Sequence, residues 1–289
     1  MAVSQLQQLI DVLTFMKKIH ICIHDVSGIL QTPGMSVVYE NRIHSQPFCC
    51  LAKSTQAGYD ACIECKNRAN DRAQRQRSAF GGLCAFGLFE AARPVVIEGK
   101  VVCIIYLGNM VQEEEKSRQQ LVKSCRKTGA PFDRMEPVLA DCERSLSHAQ
   151  AAEICEALEN CIQNLYRMHG EEAADERLQM HWIVDQLKTY ADHNYRQSFT
   201  LESVCRLYFI HEKYAGGLFK KQMRMTFHEY LNEVRLQRAA ELLISSPRKI
   251  IDIALSCGFN NVTYFNKKFR QRYGMAPGEY REQRGKGTC

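Results

Sequence analysis

The chain has 289 residues, a formal net charge of +6 and 14 Cys. That length suits two domains, each able to bury its own core. No apolar run approaches the span of a bilayer, and Asp11, Lys17 and Lys18 punctuate the first stretch, so neither a membrane helix nor a signal peptide is expected. So many scattered Cys would be hazardous in an oxidising compartment. A reduced cytoplasm is expected, with most of them serving as small core hydrophobes.

In chain order, Leu6–Ile19 carries Leu6, Leu9, Ile10, Leu13, Phe15 and Met16 and predicts an amphipathic helix. Ile19–Leu30 alternates, which predicts a strand, a Ser27-Gly28 turn and a return strand. Gly58–Gln76 is charged and lacks Pro, and reads as a helix. Arg93–Met110 is the clearest hairpin, with β-branched runs Val95–Ile97 and Val101–Leu107 joined through Glu98-Gly99. Strand pairs separated by helices predict a small antiparallel sheet covered on one side, similar to PAS or GAF sensory modules.

The Cys pattern sharpens this. Phe48-Cys49-Cys50, then Cys62-x-x-Cys65, then Cys84-x-x-Gly87-Leu88, then Pro94 and the hairpin with Gly99 resemble the PocR sensory domain over roughly Leu6–Val111. The resemblance implies a PAS-like module for small hydrocarbon-derived ligands such as diols, with the Cys group beside its pocket. Candidate ligand-binding residues are Cys49, Cys50, Cys62, Cys65, Cys84, Phe86 and Tyr106. Phe86, Phe89, Tyr106 and Tyr39 fit either an apolar pocket wall or plain core. Cys62 and Cys65 share one helical turn, a spacing suited to a common metal. Adding Cys84 and Cys49 or Cys50 completes a thiolate set for zinc or an iron–sulfur cluster, and Cys50, Cys62, Cys65 and Cys84 are taken as the candidate ligands. Buried thiols bordering a pocket, or a reversible disulfide, fit the same pattern. His20, His24 and His44 suggest metal too, but half-buried His with ordinary hydrogen bonds is the preferred account.

Glu136–Met168 predicts one long helix through Leu139, Leu146, Ile154, Leu158, Ile162 and Leu165. Its stripe suits packing on the sheet or pairing with a second copy as a homodimer. Gly170–Arg177 is the best linker, and a helix over Leu178–Asn194 opens the last domain. The expected boundaries are therefore 1–132, 133–177 and 178–289.

From Asp175 onward there are 19 Lys and Arg against 12 Asp and Glu, and before it 19 against 20. The positive excess is segregated where phosphate contacts would need it. Within this region Ile250, Ile253 and Ala254 mark a helix stopped at Gly258, and a second begins near Asn261. There Tyr264, Phe265 and Phe269 can face inward, while Asn260, Asn261, Thr263, Asn266, Lys267 and Arg270 stay polar and outward. Gly258 through Arg281 matches GF-x-x-x-(S/T)-Y-F-x-x-x-F-(K/R)-x-x-x-G-x-x-P-x-x-Y-R and resembles AraC/XylS-type regulators. Phe199–Leu243 resembles that family's first helix-turn-helix and connecting helix. The resemblance implies two helix-turn-helix units on double-stranded DNA, with Asn260, Asn261, Val262, Thr263, Tyr264, Asn266, Lys267 and Arg270 in the second. His211, Glu212, Lys213, Gly216, Gly217, Lys220 and Lys221 are the counterparts in the first. Gly216 and Gly217 depart from the pattern, costing about 2 kcal/mol of helix propensity and offering no side chain to a base. Phe209 stands where a small turn residue is expected.

The expected fold class is α+β, a PAS-like α/β sensory domain followed by an all-α domain with two helix-turn-helix motifs. The expected function is a cytoplasmic, effector-controlled transcriptional regulator and not an enzyme. A metal- or redox-responsive regulator using the Cys group is the alternative. A DNA-alkylation repair methyltransferase is a further one, although its Cys spacing is not reproduced. No Ser-His-Asp triad, phosphate-binding Gly loop or catalytic carboxylate pair is apparent.

Overall fold

The computed structural model describes residues 3–173 and 176–285, with side chains at 170–173, 176–179 and 285 left aside. The chain divides into two compact units, Met1–Trp182 with Leu207–Phe209, and Ile183–Arg206 with Ile210–Cys289.

The first unit is built on four strands, β1 (His20–Asp25), β2 (Phe80–Leu83), β3 (Phe89–Ile97) and β4 (Lys100–Met110), in the antiparallel order β1-β4-β3-β2. Six helices accompany them: α1 (Gln5–Thr14), α2 (Pro47–Ala52), α3 (Gln56–Gln76), α4 (Glu114–Thr128), α5 (Phe132–Ala140) and α6 (His148–Ala173). The predicted hairpin is β3–β4, and Glu98 and Gly99 both take positive φ at its turn, as a two-residue I′ connection demands. Alternation along β1 sends Ile21 and Ile23 to one face, where they join Leu6 and Ile10 of α1 and Ile154, Leu158, Ile162 and Leu165 of α6. Cys22 points to the other face, with Ile104, Tyr106 and Ala73 of α3. The sheet is thus covered on both sides rather than one.

Two further expectations need correction. The return strand after Ser27-Gly28 does not form. Instead the buried Asp25 carboxylate accepts from the backbone N–H groups of Ser27, Gly28, Ile29 and Leu30 at 2.8–3.2 Å. The chain is thereby folded into a 3₁₀ turn at Ile29–Gln31; a side-chain acceptor has replaced ladder bonds. Next, the long helix over Glu136–Met168 is two helices, α5 and α6, separated by a segment in which Glu143 bridges Met110. Both belong to the first unit, so 133–177 is not a separate connector. The α6 stripe is buried in its own sheet's core, which removes it as a pairing surface. The linker expected at 170–177 has its centre, 174–175, outside the described residues.

The second unit is helical. It comprises most of α7 (Glu176–Asn194), then α8 (Leu201–Leu207), α9 (Glu212–Met223), α10 (Phe227–Ser245), α11 (Ile250–Ser256), α12 (Val262–Tyr273) and α13 (Pro277–Gly285). A reciprocal capping box between Thr226 and Glu229 starts α10. Leu236, Ala239, Ala240 and Leu243 of α10 then pack against Ile253, Ala254, Phe259, Phe265, Phe269 and Tyr280. No described helix is long and apolar enough to cross a membrane.

Candidate nucleic-acid interface and effector cavity

Each residue of the C-terminal sequence pattern has a physical task. Gly258 takes φ +88°, and a Cβ there would lie 2.4 Å from the Tyr195 carbonyl oxygen. Phe265 and Phe269 are fully buried. Gly274 caps α12 in the left-handed conformation. Pro277 opens α13, Tyr280 is buried, and Arg281 donates to the carbonyls of Leu243 and Arg248 at 3.1 and 2.6 Å. These residues therefore shape the unit and leave another face of α12 exposed. That face carries Thr263, Asn266, Lys267 and Arg270, all exposed and at helical spacing. Val262, Asn266, Lys267 and Arg270 also border an open concavity beside Pro277 and Gly278. Asn260 is exposed. Asn261 has a task of its own, since its side chain accepts the Tyr264 N–H at 2.9 Å and caps α12. Tyr264 does not face inward. The residue is 37% exposed, and its hydroxyl accepts from the Asn232 amide at 3.3 Å.

In α9, His211, Glu212, Lys213, Gly217, Lys220 and Lys221 are exposed, while Ala215, Leu218 and Phe219 are buried. The two glycines differ. A Cβ on Gly216 would press on Leu201 at 3.2 Å, whereas one on Gly217 meets nothing within 4 Å. The outward face of α9 therefore has a gap at Gly217, between the side chains of Tyr214, Lys220 and Lys221. Tyr214, 53% exposed on this helix, went unnoticed in the sequence because an aromatic next to Ala215 reads as core. Phe209 takes φ +55° in the turn before α9, the conformation a small residue usually serves there. Gly217→Ala should stabilise the chain by up to about 1 kcal/mol and leave the order of base preferences unchanged. Lys267→Ala should instead weaken discrimination at one base step by about tenfold or more. Binding-site selection on randomised duplexes, with thermal melts of the same variants, checks both.

The first unit holds a cavity of about 40 Å³, lined by residues that include His20, Gln46, Cys49, Cys84, Leu88, Glu90 and Tyr106. At its edge Lys66 Nζ lies 2.9 Å from His44 Nε2 and 2.9 Å above the centre of the Tyr106 ring. His44 Nδ1 faces Glu90 Oε1 at 3.4 Å. Lysine donates to one imidazole nitrogen while the other points its proton at the carboxylate, so a neutral His44 bridges the opposite charges. Burial, then the nearby Lys66 ammonium, holds His44 well below the usual imidazole value. Burial lowers the Lys66 pKa, with Glu90 opposing, and burial raises that of Glu90, with Lys66 opposing. The Tyr106 hydroxyl donates to Asn70 Oδ1 at 2.6 Å, and Gln46 Nε2 donates to His20 Nδ1 at 3.0 Å.

Of the predicted ligand residues, Cys49, Cys84 and Tyr106 line this cavity. Phe86 does not. It is a core residue packed with Phe48, Leu88 and Leu121. Phe89 lines the cavity and Tyr39 does not. Cys50 is exposed, with its thiol on the Ser45 carbonyl at 3.3 Å, and it takes no part in the cavity wall. Cys62 and Cys65 stand on α3, outside the wall. The wall residues Gln46 and Glu90, and Lys66 at its edge, were missed because three separated elements bring them together. His20 and His44 make ordinary hydrogen bonds, as expected, yet they belong to this wall. His24 lies farther along β1 and does not line the cavity.

Residues 1–169 match the sensory domain found in PocR, and residues 204–283 match a helix-turn-helix domain. The uncharacterized HTH-type transcriptional regulator YijO of Escherichia coli K12 is 36% identical over 101 residues, covering 35% of this chain and 36% of its own length. The melibiose operon regulatory protein of the same organism is 31% identical over 101 residues, covering 35% and 33%. The C-terminal domain of AraT, a response regulator from Geobacillus stearothermophilus, is 31% identical and covers 35% of this chain and 85% of that one, with a TM-score of 0.34. The matched segments span about a third of the length of these two curated relatives. With a PocR-type sensory domain over more than half its length and an AraC-type double helix-turn-helix after it, the chain belongs to the family of DNA-binding transcriptional regulators that carry the PocR sensory domain.

Proposed function

We propose that a small hydroxylated hydrocarbon, a short diol in the simplest case, occupies the first unit's cavity and controls the affinity of this regulator for its operator. The observation that carries this reading is the cavity itself. Its 40 Å³ is far below the roughly 300–1,000 Å³ of sites for drug-sized ligands, so its wall must widen to seat even a short diol and would exclude anything much larger. Its wall sets the apolar Leu88 and Phe89 beside the Glu90 carboxylate and the imidazoles of His20 and His44. A hydroxyl both donates and accepts, so one ligand hydroxyl can donate to Glu90 while another meets an imidazole or the Gln46 amide. The carbon chain then rests on Leu88. Binding to one of two arrangements of this wall couples effector and DNA affinity reciprocally. The reading places the chain in the cytoplasm, on double-stranded DNA, without catalytic turnover. It needs no homodimer, because the stripe that suggested one is buried.

Thermal melts with three-carbon diols and with propanol, paired with operator titrations, test the reading. A diol-dependent rise in melting temperature, absent with propanol and lost in Glu90→Gln, is the expected result. A wild-type chain indifferent to every diol, in both stability and operator affinity, would overturn it.

A further inference from the structure

The diol reading leaves one buried nucleophile of the first unit without a task. Lys66 Nζ touches two residues of the cavity wall, lying 2.9 Å from His44 Nε2 and 2.9 Å from the centre of the Tyr106 ring. Behind the imidazole, Glu90 Oε1 stands 3.4 Å from His44 Nδ1. The order is amine, base, carboxylate: a nucleophile within hydrogen-bond reach of an imidazole that a third group orients. Proteins activate nucleophiles with that arrangement. A lysine kept only to neutralise Glu90 would gain most by touching it, yet the imidazole stands between them.

We infer that Lys66 is a covalent ligand site, capturing a short aliphatic aldehyde from the cavity as a reversible imine. His44 Nε2 takes one proton from the Lys66 ammonium. The freed lone pair forms a C–N bond to the carbonyl carbon, the C=O π pair moves to oxygen, and oxygen takes the proton from His44. The nitrogen then gives His44 a second proton. The hydroxyl takes that proton and departs as water, which leaves a protonated imine. No oxidant or reductant enters, and hydrolysis reverses the sequence. The product nitrogen is positive, above the Tyr106 ring that already holds the ammonium. Its carbon chain would rest on Leu88 and Phe89 of the wall. Two electrostatic features support the chemistry. Burial lowers the Lys66 pKa, with Glu90 opposing, which raises the share of free amine at neutral pH. Burial holds His44 well below the usual imidazole value, so a proton taken from lysine is passed on rather than kept. An aldehyde suits a cavity of about 40 Å³ better than a ketone, because its carbonyl carbon carries hydrogen in place of a second chain. The inference shares the cavity with the diol reading but not its ligand.

The test treats the full-length chain at neutral pH with dilute propanal and sodium cyanoborohydride, which reduces an imine to a stable alkylamine. Peptide mass spectrometry then locates the added propyl groups. Lys66 should be alkylated at least about tenfold faster than Lys17, an exposed lysine of the same unit. His44→Gln should bring Lys66 down to the Lys17 rate, with circular dichroism checking its fold. Where that variant misfolds, Glu90→Gln replaces it and should slow Lys66 in the same sense. Alkylation of Lys66 no faster than Lys17 in the wild type, or an unchanged Lys66 rate in the folded variant, would overturn the assignment. The wild-type comparison needs no response to diols, so this inference and the diol reading fail separately.

Discussion

Gly258→Ala is expected to abolish operator binding at ordinary protein concentrations, with a loss of about 3 kcal/mol in stability. Two costs combine. At φ +88° a residue with a Cβ is strained by about 1–3 kcal/mol. The added carbon would also lie 2.4 Å from the Tyr195 carbonyl oxygen, 3.0 Å from that of Arg196 and 2.9 Å from Arg235 Nε. Those carbonyls are backbone and cannot swing aside. Arg235 holds them further, donating to the Tyr195 carbonyl at 2.7 Å and to the Gln197 carbonyl at 2.9 Å. Relief would have to come from the α11–α12 turn, and that would tilt the face bearing Asn266 and Lys267. Gly274→Ala is the control, because φ is +76° there and nothing lies within 4 Å of the added carbon. It should cost about 1 kcal/mol and leave operator binding largely intact. Urea denaturation and operator titration of the two variants check this, and equal losses would refute the argument from close approach.

Lys66→Met should destabilise the chain by about 3 kcal/mol at neutral pH, because it strands a buried carboxylate. Glu90 then loses the ammonium that reaches it through His44. Burial already raises the Glu90 pKa above its ordinary 4.5, and without Lys66 it rises further. A carboxyl with a higher pKa folded than unfolded binds more protons in the folded state. Its stability contribution is fully present below 4.5 and is lost as pH rises through the folded value. The deficit of Lys66→Met should therefore be smallest in mild acid and grow towards neutrality. Adding Glu90→Gln should restore about 2 kcal/mol and flatten that pH dependence. Thermal melts of the four members of this cycle across the acid-to-neutral range provide the measurement. Equal deficits at all pH values would show that Lys66 acts through packing alone.

The DNA-binding half was legible because its signals are local. Gly258, Phe265, Phe269, Pro277 and Tyr280 lie within one short stretch, and each constrains backbone or core within a few residues of itself. Asn261 shows the limit of that reading. Its amide suited a base contact, but its place before α12 makes it a cap, and residue type alone does not separate the two roles. The hairpin was legible from β-branched runs around Glu98-Gly99. β2 was not, since Phe80-Gly81-Gly82-Leu83 lacks the β-branched signature, and the false return strand came from overlooking Asp25 as a backbone acceptor. The cavity was least legible of all. His20, His44, Lys66, Glu90 and Tyr106 come from two outer elements, a loop and two inner strands, and none has a telling neighbour. The choice between Cys49 and Cys50 likewise depends on which face of α2 turns inward.

The gap that Gly217 leaves on the outward face of α9 has a consequence for the genome. Were α9 to meet DNA as α12 is expected to, the step under Gly217 would be held by shape and by the charge of Lys220 and Lys221 rather than by a base-reading side chain. When target promoters are aligned, the information should be densest under α12 and thinnest at the step that faces Gly217. Point substitutions at that step would persist as neutral drift, while changes under α12 would decide which promoters the regulator serves.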